Sequence, residues 1–166
     1  MDEAFIRRLE LLEDREKIRE LQATYCFLVD DGRFDELVET CFAENARCDF
    51  HDTRGFIAPA VSNGRTEILA FFKQVVGVLL HEMSHTVHNE RIRIDGDTAS
   101  ADCYFELTAT HPATGEAVVG AGRYIDRYCR VGSRWLFTER EARIGHMGPL
   151  DDGWVKRPFL QALTGE

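Results

Sequence analysis

The second half of the sequence consists of strand-like runs joined by short turns, and this pattern constrains the fold more than any other feature. The run ERIRI leads into Asp95-Gly96-Asp97, a strong hairpin signal, and then into the run TASADCYFELTATH. Thr114-Gly115 and Gly132-Ser133 lead into two further runs, AVVGAGRYIDRYCRV and RWLFTEREARI. Strands joined by tight turns pair in antiparallel order, so we expect an antiparallel meander.

One face of the second run is predicted to be buried. Apolar or small residues alternate with polar ones at Ala99, Ala101, Cys103, Phe105, Leu107 and Ala109. A period of two places these side chains on one side of a strand. Another part of the chain must therefore cover them.

The first half of the chain supplies helices for this purpose. Asp14 is the expected N-cap of a helix that reaches about Val29 and stops at Asp31-Gly32. A second helix follows at once, and Thr66 is the expected cap of a third. The apolar faces of the three helices contain Ile18, Leu21, Tyr25 and Leu28; Phe34, Leu37, Val38, Cys41 and Phe42; and Ile68, Leu69, Phe71, Phe72, Val75 and Val76.

Helices followed by a strand meander predict an α+β fold. About three N-terminal helices pack on one face of a strongly bent, mainly antiparallel sheet. With 166 residues the chain forms a single compact domain. A sheet curled over helices leaves a pocket between the two layers, and a small-molecule site is expected there.

Charge and composition exclude several classes of partner. The net charge of −9 repels nucleic acid and anionic membrane surfaces. The five cysteines are scattered without a C-x-x-C pair, which favours reduced thiols over a disulfide framework. The charged N-terminus does not resemble a signal peptide, and the strongly apolar run Val75–Leu80 is too short to span a bilayer. We therefore expect a cytoplasmic protein with a small-molecule partner.

The stretch His81-Glu82-Met83-Ser84-His85 matches the zinc-hydrolase motif H-E-x-x-H. On a helix the two histidines lie about 6 Å apart and can hold one zinc ion. If His85 heads a strand instead, about 13 Å separates them and no single ion reaches both. The hairpin pattern begins directly after His85, which favours the strand. On that strand His85 and His88 point to opposite faces.

The order of the elements identifies a family. Together with the motifs YCFLVDDGRFDEL, GRTEILAFF, SHTVHNERIRIDGDTASA and WLFTEREARI, it resembles the SnoaL-like branch of the nuclear transport factor 2-like superfamily. The resemblance covers about residues 12–146 and implies a cone-shaped barrel with a deep pocket. The domain itself is expected to span residues 1–146. It implies a small-molecule lyase, isomerase, cyclase or binding function. Dehydration and isomerisation by an acid–base residue need no metal and no cofactor, so neither is expected. The tail, residues 147–166, is expected to be a lid or an oligomer contact.

The resemblance also implies site residues, through similarity to the steroid and scytalone dehydratases of this branch. Tyr25, Asp30 and His85 fall on catalytic positions, and Arg143 falls on the position of an arginine in the last strand. His111 matches a second pocket histidine. Phe50 and Tyr124 stand where the scytalone enzymes have pocket tyrosine and asparagine groups, so a scytalone-type substrate is not expected.

The residues themselves leave alternatives open. His85 is a general base if Asp30 holds one ring nitrogen, or else a buried structural histidine. Asp30 also suits a solvated turn, and Tyr25 suits the core. Arg143 shares strand parity with Trp135 and Phe137 and is expected to point inward, unless it pairs with Glu139 or Glu141 on the surface. His111 has the parity of the buried run but adjoins a turn.

These observations predict a cofactor-independent lyase of the dehydratase type. Its substrate is expected to be a small hydroxylated ketone, steroid-like or aromatic molecule, with His85 and Asp30 as the base. A ketosteroid-type isomerase, a polyketide cyclase and a non-catalytic binding domain remain alternatives, and a zinc hydrolase is a further one. A homodimer or homotrimer is expected through the outer face of the sheet, at Tyr104, Glu106 and Thr108.

Overall fold

The computed structural model of the protein describes residues 2–53 and 59–152. Its helices are α1 (Glu3–Asp30), α2 (Phe34–Cys41), α3 (Gly64–Phe71) and the short α4 (Gly77–Leu79), and a π-helical turn (Phe72–Val76) joins α3 to α4. Its strands are β1 (Phe42–Asp52), β2 (Ala60–Asn63), β3 (His81–Asp95), β4 (Thr98–Thr110), β5 (Ala117–Val131) and β6 (Arg134–Pro149). A 3-10 turn (Leu150–Asp152) follows β6.

The six strands form one sheet in the order β2-β1-β6-β5-β4-β3. The strands β3 to β6 pair as successive antiparallel hairpins, as the sequence predicts, while β1 pairs with β6 in parallel. Gly96, Gly115 and Gly132 occupy the three hairpin turns with positive φ, a conformation that strains residues with a Cβ atom. The sheet curls around the helices and stays unclosed, so the predicted α+β cone is confirmed.

The core lies between α1 and the inner face of the sheet. The predicted alternating face of β4 is buried throughout. Tyr25 of α1 lies at the centre, with its ring in edge-to-face contact with Phe42, Phe72, Tyr124 and Phe137 at centroid distances of 5.8 to 6.2 Å. Each fully buried side chain of this size contributes about 1.5–3 kcal/mol to stability, so this aromatic cluster anchors α1 against the sheet.

Both predicted helix caps are wrong. The first helix begins at Glu3, where the Asp2 side chain accepts the Ala4 N–H at 3.1 Å. Asp14 is instead a buried helix residue that accepts hydrogen bonds from Trp135 Nε1 at 3.1 Å and Arg130 Nη1 at 3.0 Å. The third helix begins at Gly64, ahead of Thr66. Periodicity located the packed part of α1, because the residues before Asp14 are exposed and lack a buried face.

A β-bulge in β6 changes which side chains face the core. Phe137 pairs with Tyr128 and Glu139 pairs with Arg127, so Thr138 is an extra residue without an opposite partner. One extra residue inverts the alternation beyond it. The bulge therefore turns Arg140 into the core and sends Glu141 and Arg143 to the outer face.

Four other predictions bear on the surface and the chain ends. In the described ranges, no helix combines the length and apolar character needed to cross a membrane. The strand β6 extends to Pro149, so the boundary expected at residue 146 falls inside a strand. The side chains expected to form a lid, Trp154, Phe159 and Leu160, lie outside the described residues. The homo-oligomer stays a prediction; its expected contacts Tyr104, Glu106 and Thr108 are exposed.

Candidate active site

A cavity of about 440 Å³ lies inside the cone, between α1, the helical segments that follow β2, and the inner face of the sheet. Its walls are apolar and are formed largely by Val29, Phe71, Val75, Leu80, Met83 and Leu107. The polar side chains among its described lining residues are His85, Tyr25 and Tyr124. No lysine, arginine or carboxylate is among these lining residues, so the cavity suits an uncharged, largely apolar molecule.

His85 is held by Asp30. The Asp30 carboxylate contacts His85 Nδ1 through Oδ1 and accepts the His85 backbone N–H through Oδ2 at 2.9 Å. Only 7% of the His85 side chain and 16% of the Asp30 side chain are exposed. A carboxylate at Nδ1 places the ring proton on that nitrogen, which leaves the lone pair on Nε2. His85 therefore has the tautomer that a general base needs.

The backbone brings these two residues together from distant parts of the chain. Asp30 is the last residue of α1, which ends because Gly32 has a φ of +69° and closes the helix with a hydrogen bond to the Val29 carbonyl. His85 lies near the start of β3, the strand that packs against α1. Asp30 lines a groove outside the cone, between α1 and β3, whereas His85 borders both this groove and the cavity.

Two tyrosines share the cavity with His85. Tyr25 is 1% exposed and Tyr124 is 2% exposed, and their ring centroids are 6.1 Å apart. Burial raises the pKa of the Tyr25 hydroxyl above its usual value, and the positive charge of Arg140 opposes that rise. Burial likewise raises the pKa of Tyr124. Both hydroxyls remain protonated near neutral pH and are available as hydrogen-bond donors.

Phe50 of β1 also lines the cavity, stacked on Phe71 at a centroid distance of 4.8 Å. The structure therefore gathers five of the seven predicted site residues at or beside one cavity. Four line the cavity directly, and Asp30 reaches it through His85. These five residues are Tyr25, Asp30, Phe50, His85 and Tyr124.

Arg143 does not point into the cavity, so that prediction is wrong. Its guanidinium is on the outer face, where Nε and Nη2 donate to the Glu141 carboxylate at 2.7 and 3.0 Å, and 45% of the side chain is exposed. Arg143 does not point in the same direction as Trp135 and Phe137, because the bulge at Thr138 separates it from these two residues.

His111 is also outside the cavity. The strand β4 ends one residue earlier, at Thr110, and His111 belongs to the turn that leads to β5. Its backbone N–H donates to the Glu116 carbonyl at 2.9 Å, and its ring Nδ1 lies 3.2 Å from the Thr114 hydroxyl. The alternation of β4 therefore does not continue to His111.

The H-E-x-x-H motif lies on β3, and its residues contact different partners. His81 Nε2 is 3.2 Å from the Gly77 carbonyl, and the Glu82 carboxylate accepts the Thr110 hydroxyl at 2.7 Å. His85 is held by Asp30. Glu82 has a φ of +50° at an irregularity in the pairing with β4, so the helical geometry of a zinc site is absent. Within residues 2–53 and 59–152, no group of three or more His, Cys, Asp or Glu side chains could hold a metal ion.

His88 lies on the opposite side of the sheet from His85, as predicted. Its ring stacks on Tyr104 at 5.8 Å, and its Nε2 is 3.7 Å from Glu106. It therefore takes no part in the cavity.

Sequence reasoning missed a buried polar cluster behind the two tyrosines, formed by Arg140, Asp126 and Gln22. Arg140 is fully buried and donates to the two Asp126 carboxylate oxygens at 2.9 and 2.8 Å. Gln22 accepts a hydrogen bond from Arg140 and donates to Asp126 at 2.7 Å. The sequence signal was the strand parity that Asp126 shares with Tyr124 and Tyr128, two residues away on each side, but charged strand residues usually face solvent.

The fold and the cavity define the class of protein, a nuclear transport factor 2-like cone with a small-molecule pocket. A family model described as a SnoaL-like domain matches residues 10–141, and the chain belongs to this family. The family predicted from the sequence motifs is therefore confirmed. A search of curated proteins found no match.

Solved structures with the same fold include a dehydrochlorinase, a candidate dehydratase and a candidate hydroxylase. A hexachlorocyclohexane dehydrochlorinase of type 3 from Novosphingobium barchaimii superposes with a TM-score of 0.73 at 19% identity, over 91% of this chain and 99% of its own. A candidate scytalone dehydratase from Novosphingobium aromaticivorans has a TM-score of 0.72 at 19% identity, over 83% and 88%. A candidate aromatic ring hydroxylase from the latter organism has 27% identity and a TM-score of 0.69, over 85% and 96%.

Proposed function

We propose that the protein is a cofactor-independent lyase that removes water from a small, uncharged hydroxylated ketone. The observation that carries this proposal is the His85–Asp30 pair, which presents an oriented imidazole to a largely apolar cavity. An apolar cavity excludes water from the reacting atoms and strengthens each remaining polar contact.

In the proposed reaction, His85 Nε2 takes the proton from the carbon next to the substrate carbonyl. The electron pair of the broken C–H bond moves towards the carbonyl oxygen and forms an enolate. Tyr25 donates a hydrogen bond to this oxygen, because its raised pKa keeps its hydroxyl protonated. The enolate then reforms the carbonyl and expels the β-hydroxyl group. His85 returns its proton to that group, so water leaves and an enone remains.

Asp30 acts on the base and does not contact the substrate. As His85 becomes positively charged, the adjacent carboxylate stabilises that charge and holds the ring orientation. Elimination also agrees with two of the similar folds, whose names describe a dehydratase and a dehydrochlorinase. Arg143 is not proposed as an anchor, because it lies on the outer face.

The experiment is a screen of neutral β-hydroxyketones, steroidal and aromatic, in which ultraviolet absorbance detects the enone and mass spectrometry detects the loss of water. We expect a catalysed product with the wild type and its loss with His85→Ala. His88→Ala is the matched control, because His88 is three residues away on the opposite face. Equal rates for wild type and His85→Ala would reject the proposed base. Tight binding without turnover across the panel would favour the non-catalytic binding domain.

A further inference from the structure

The buried pair of Arg140 and Asp126 raises a question that packing alone does not answer. Replacing a buried ion pair by apolar residues of similar volume is often neutral or stabilising, so such a pair is a poor device for stability. Two guanidinium nitrogens of Arg140, Nε and Nη2, donate to Asp126, but Nη1 has no hydrogen-bond partner among the residues that the structure describes. Asp126 therefore does not engage every donor group of Arg140.

Arg140 is charged despite its burial. Burial disfavours the cation, but the charge and the hydrogen bonds of Asp126 outweigh that effect and raise the pKa of Arg140 well above its usual value. A permanent positive charge thus lies in the core. Electrostatic interactions there are stronger than at the surface because the effective dielectric constant is lower.

The pair is oriented with respect to the cavity. The Arg140 guanidinium carbon lies 3.9 Å from the ring centroid of Tyr25 and 4.1 Å from that of Tyr124, and both tyrosines line the cavity. Asp126 instead contacts Gln22 and accepts the Tyr128 hydroxyl at 3.1 Å. The positive end of the pair therefore faces the cavity tyrosines.

The pKa shifts of Tyr25, Tyr124 and Tyr128 agree with this orientation of the Arg140–Asp126 pair. In each, burial is the main cause of a raised pKa. The charge of Arg140 opposes the rise at Tyr25 and Tyr124. At Tyr128 the next cause after burial is the negative charge of Asp126, which raises the pKa further and exceeds the opposing effect of Arg140. A cation that makes a phenol more acidic also makes it a stronger hydrogen-bond donor.

We propose that Arg140 is a positioning residue for the reaction: with Asp126 it forms a fixed dipole whose positive end stabilises negative charge on a ligand oxygen bound at Tyr25 and Tyr124. This inference rests on the proposed function and names the ligand class that the cavity favours, a neutral aromatic or ketone that becomes an oxyanion. Arg140 does not touch the ligand and acts through the two tyrosines. Because the dipole is fixed by Gln22 and the surrounding core, it requires no reorganisation when charge develops.

The test uses 2-naphthol, which resembles an enolate when ionised and changes its absorbance on ionisation. We expect the wild type to bind naphtholate more tightly than naphthol, so that bound naphthol ionises at a lower pH than free naphthol. In Arg140→Met/Asp126→Asn, which removes both charges together, this preference should fall about tenfold or more. Arg143→Met/Glu141→Gln is the matched control, because it removes an arginine–carboxylate pair from the outer face of the same strand.

The single change Asp126→Asn gives a second, opposite test. It removes the negative end of the dipole, so the naphtholate preference should increase, whereas a purely structural role predicts no such increase. This variant decides the question if the double variant does not fold, and an unchanged or weakened preference in it would overturn the inference. Equal preferences in the wild type and a folded double variant would overturn it too. Failure of the wild type to bind 2-naphthol in either form would overturn this inference, whereas the proposed function is overturned separately, by the β-hydroxyketone screen.

Discussion

Replacing Asp30 by asparagine tests the role of His85 most directly. The wild-type carboxylate accepts from both His85 Nδ1–H and the His85 backbone N–H. An asparagine oxygen can retain the backbone hydrogen bond, but its NH₂ group then faces Nδ1 and donates to it. The imidazole proton moves to Nε2, the nitrogen that borders the cavity. The variant should therefore fold normally and lack the lone pair that takes the substrate proton.

The size of the loss follows from the interaction between the Asp30 carboxylate and the charged imidazole. A carboxylate and an imidazolium about 4 Å apart interact by about 4 kcal/mol at an effective dielectric constant of about 20. At about 1.4 kcal/mol per factor of ten, this corresponds to a rate reduction of about 10³. The general range for losing acid–base catalysis is about 10²–10⁴. We therefore expect kcat/KM of Asp30→Asn to fall by about 10³, with little change in ligand affinity.

Asp31→Asn is the matched control, since the neighbouring carboxylate is 59% exposed and its ion pair with Arg33 spans 4.0 Å. It should retain activity within about twofold, as surface charges usually contribute little. A substrate-independent readout is the ¹⁵N NMR spectrum of His85, which should report a proton on Nδ1 in the wild type and on Nε2 in Asp30→Asn. Comparable activity of Asp30→Asn and the wild type, or an equal loss in Asp31→Asn, would refute the assignment of the base.

Four further outcomes are expected. Tyr25→Phe should lower kcat about 10²–10³-fold while substrate binding changes little, because the lost donor acts mainly on the developing oxyanion. Steady-state kinetics measures both quantities, and a change in KM alone would contradict this role of Tyr25. Arg143→Ala should leave kcat/KM within about twofold of wild type, since the side chain is on the outer face. Asp14→Ala should lower the free energy of unfolding by about 2–4 kcal/mol in urea titrations, because Trp135 and Arg130 lose a shared acceptor. A change below about 0.5 kcal/mol would contradict the stabilising role of the Asp14 carboxylate. A thiol reagent at pH 8 should modify one cysteine, the half-buried Cys129, before unfolding, as counted by mass spectrometry. Burial keeps the other thiols protonated at that pH by raising their pKa values to about 11 for Cys26 and about 12 for Cys41, Cys48 and Cys103.

The sequence was sufficient for the architecture because each hairpin carries its own local signal. The turns at Gly96, Gly115 and Gly132 and the alternation along β4 depend on near neighbours, and all are present in the structure. The first eleven helical residues of α1 were missed for the same reason. They have no buried face, so no periodicity identifies them.

The site depended on contacts that local patterns do not encode. Nothing in the spacing of Asp30 and His85 requires them to meet, and the family resemblance supplied that link. The bulge at Thr138 could not be read from the alternation of β6, and it exchanged the roles of two arginines. Arg140 became the core residue, and Arg143 became the surface residue.

The parallel pairing of β1 with β6 has a consequence for the order in which the molecule folds. The hairpins from β3 to β6 join neighbouring parts of the chain, whereas β1 must wait for the last strand before it can enter the sheet. Contacts between such distant segments incur the largest loop-closure entropy and form slowly. During synthesis, the helices and β1 leave the ribosome well before their partner strand exists. The wall of the cavity that carries Phe50 is therefore completed late, and a chaperone that shields apolar surface should act on this interval.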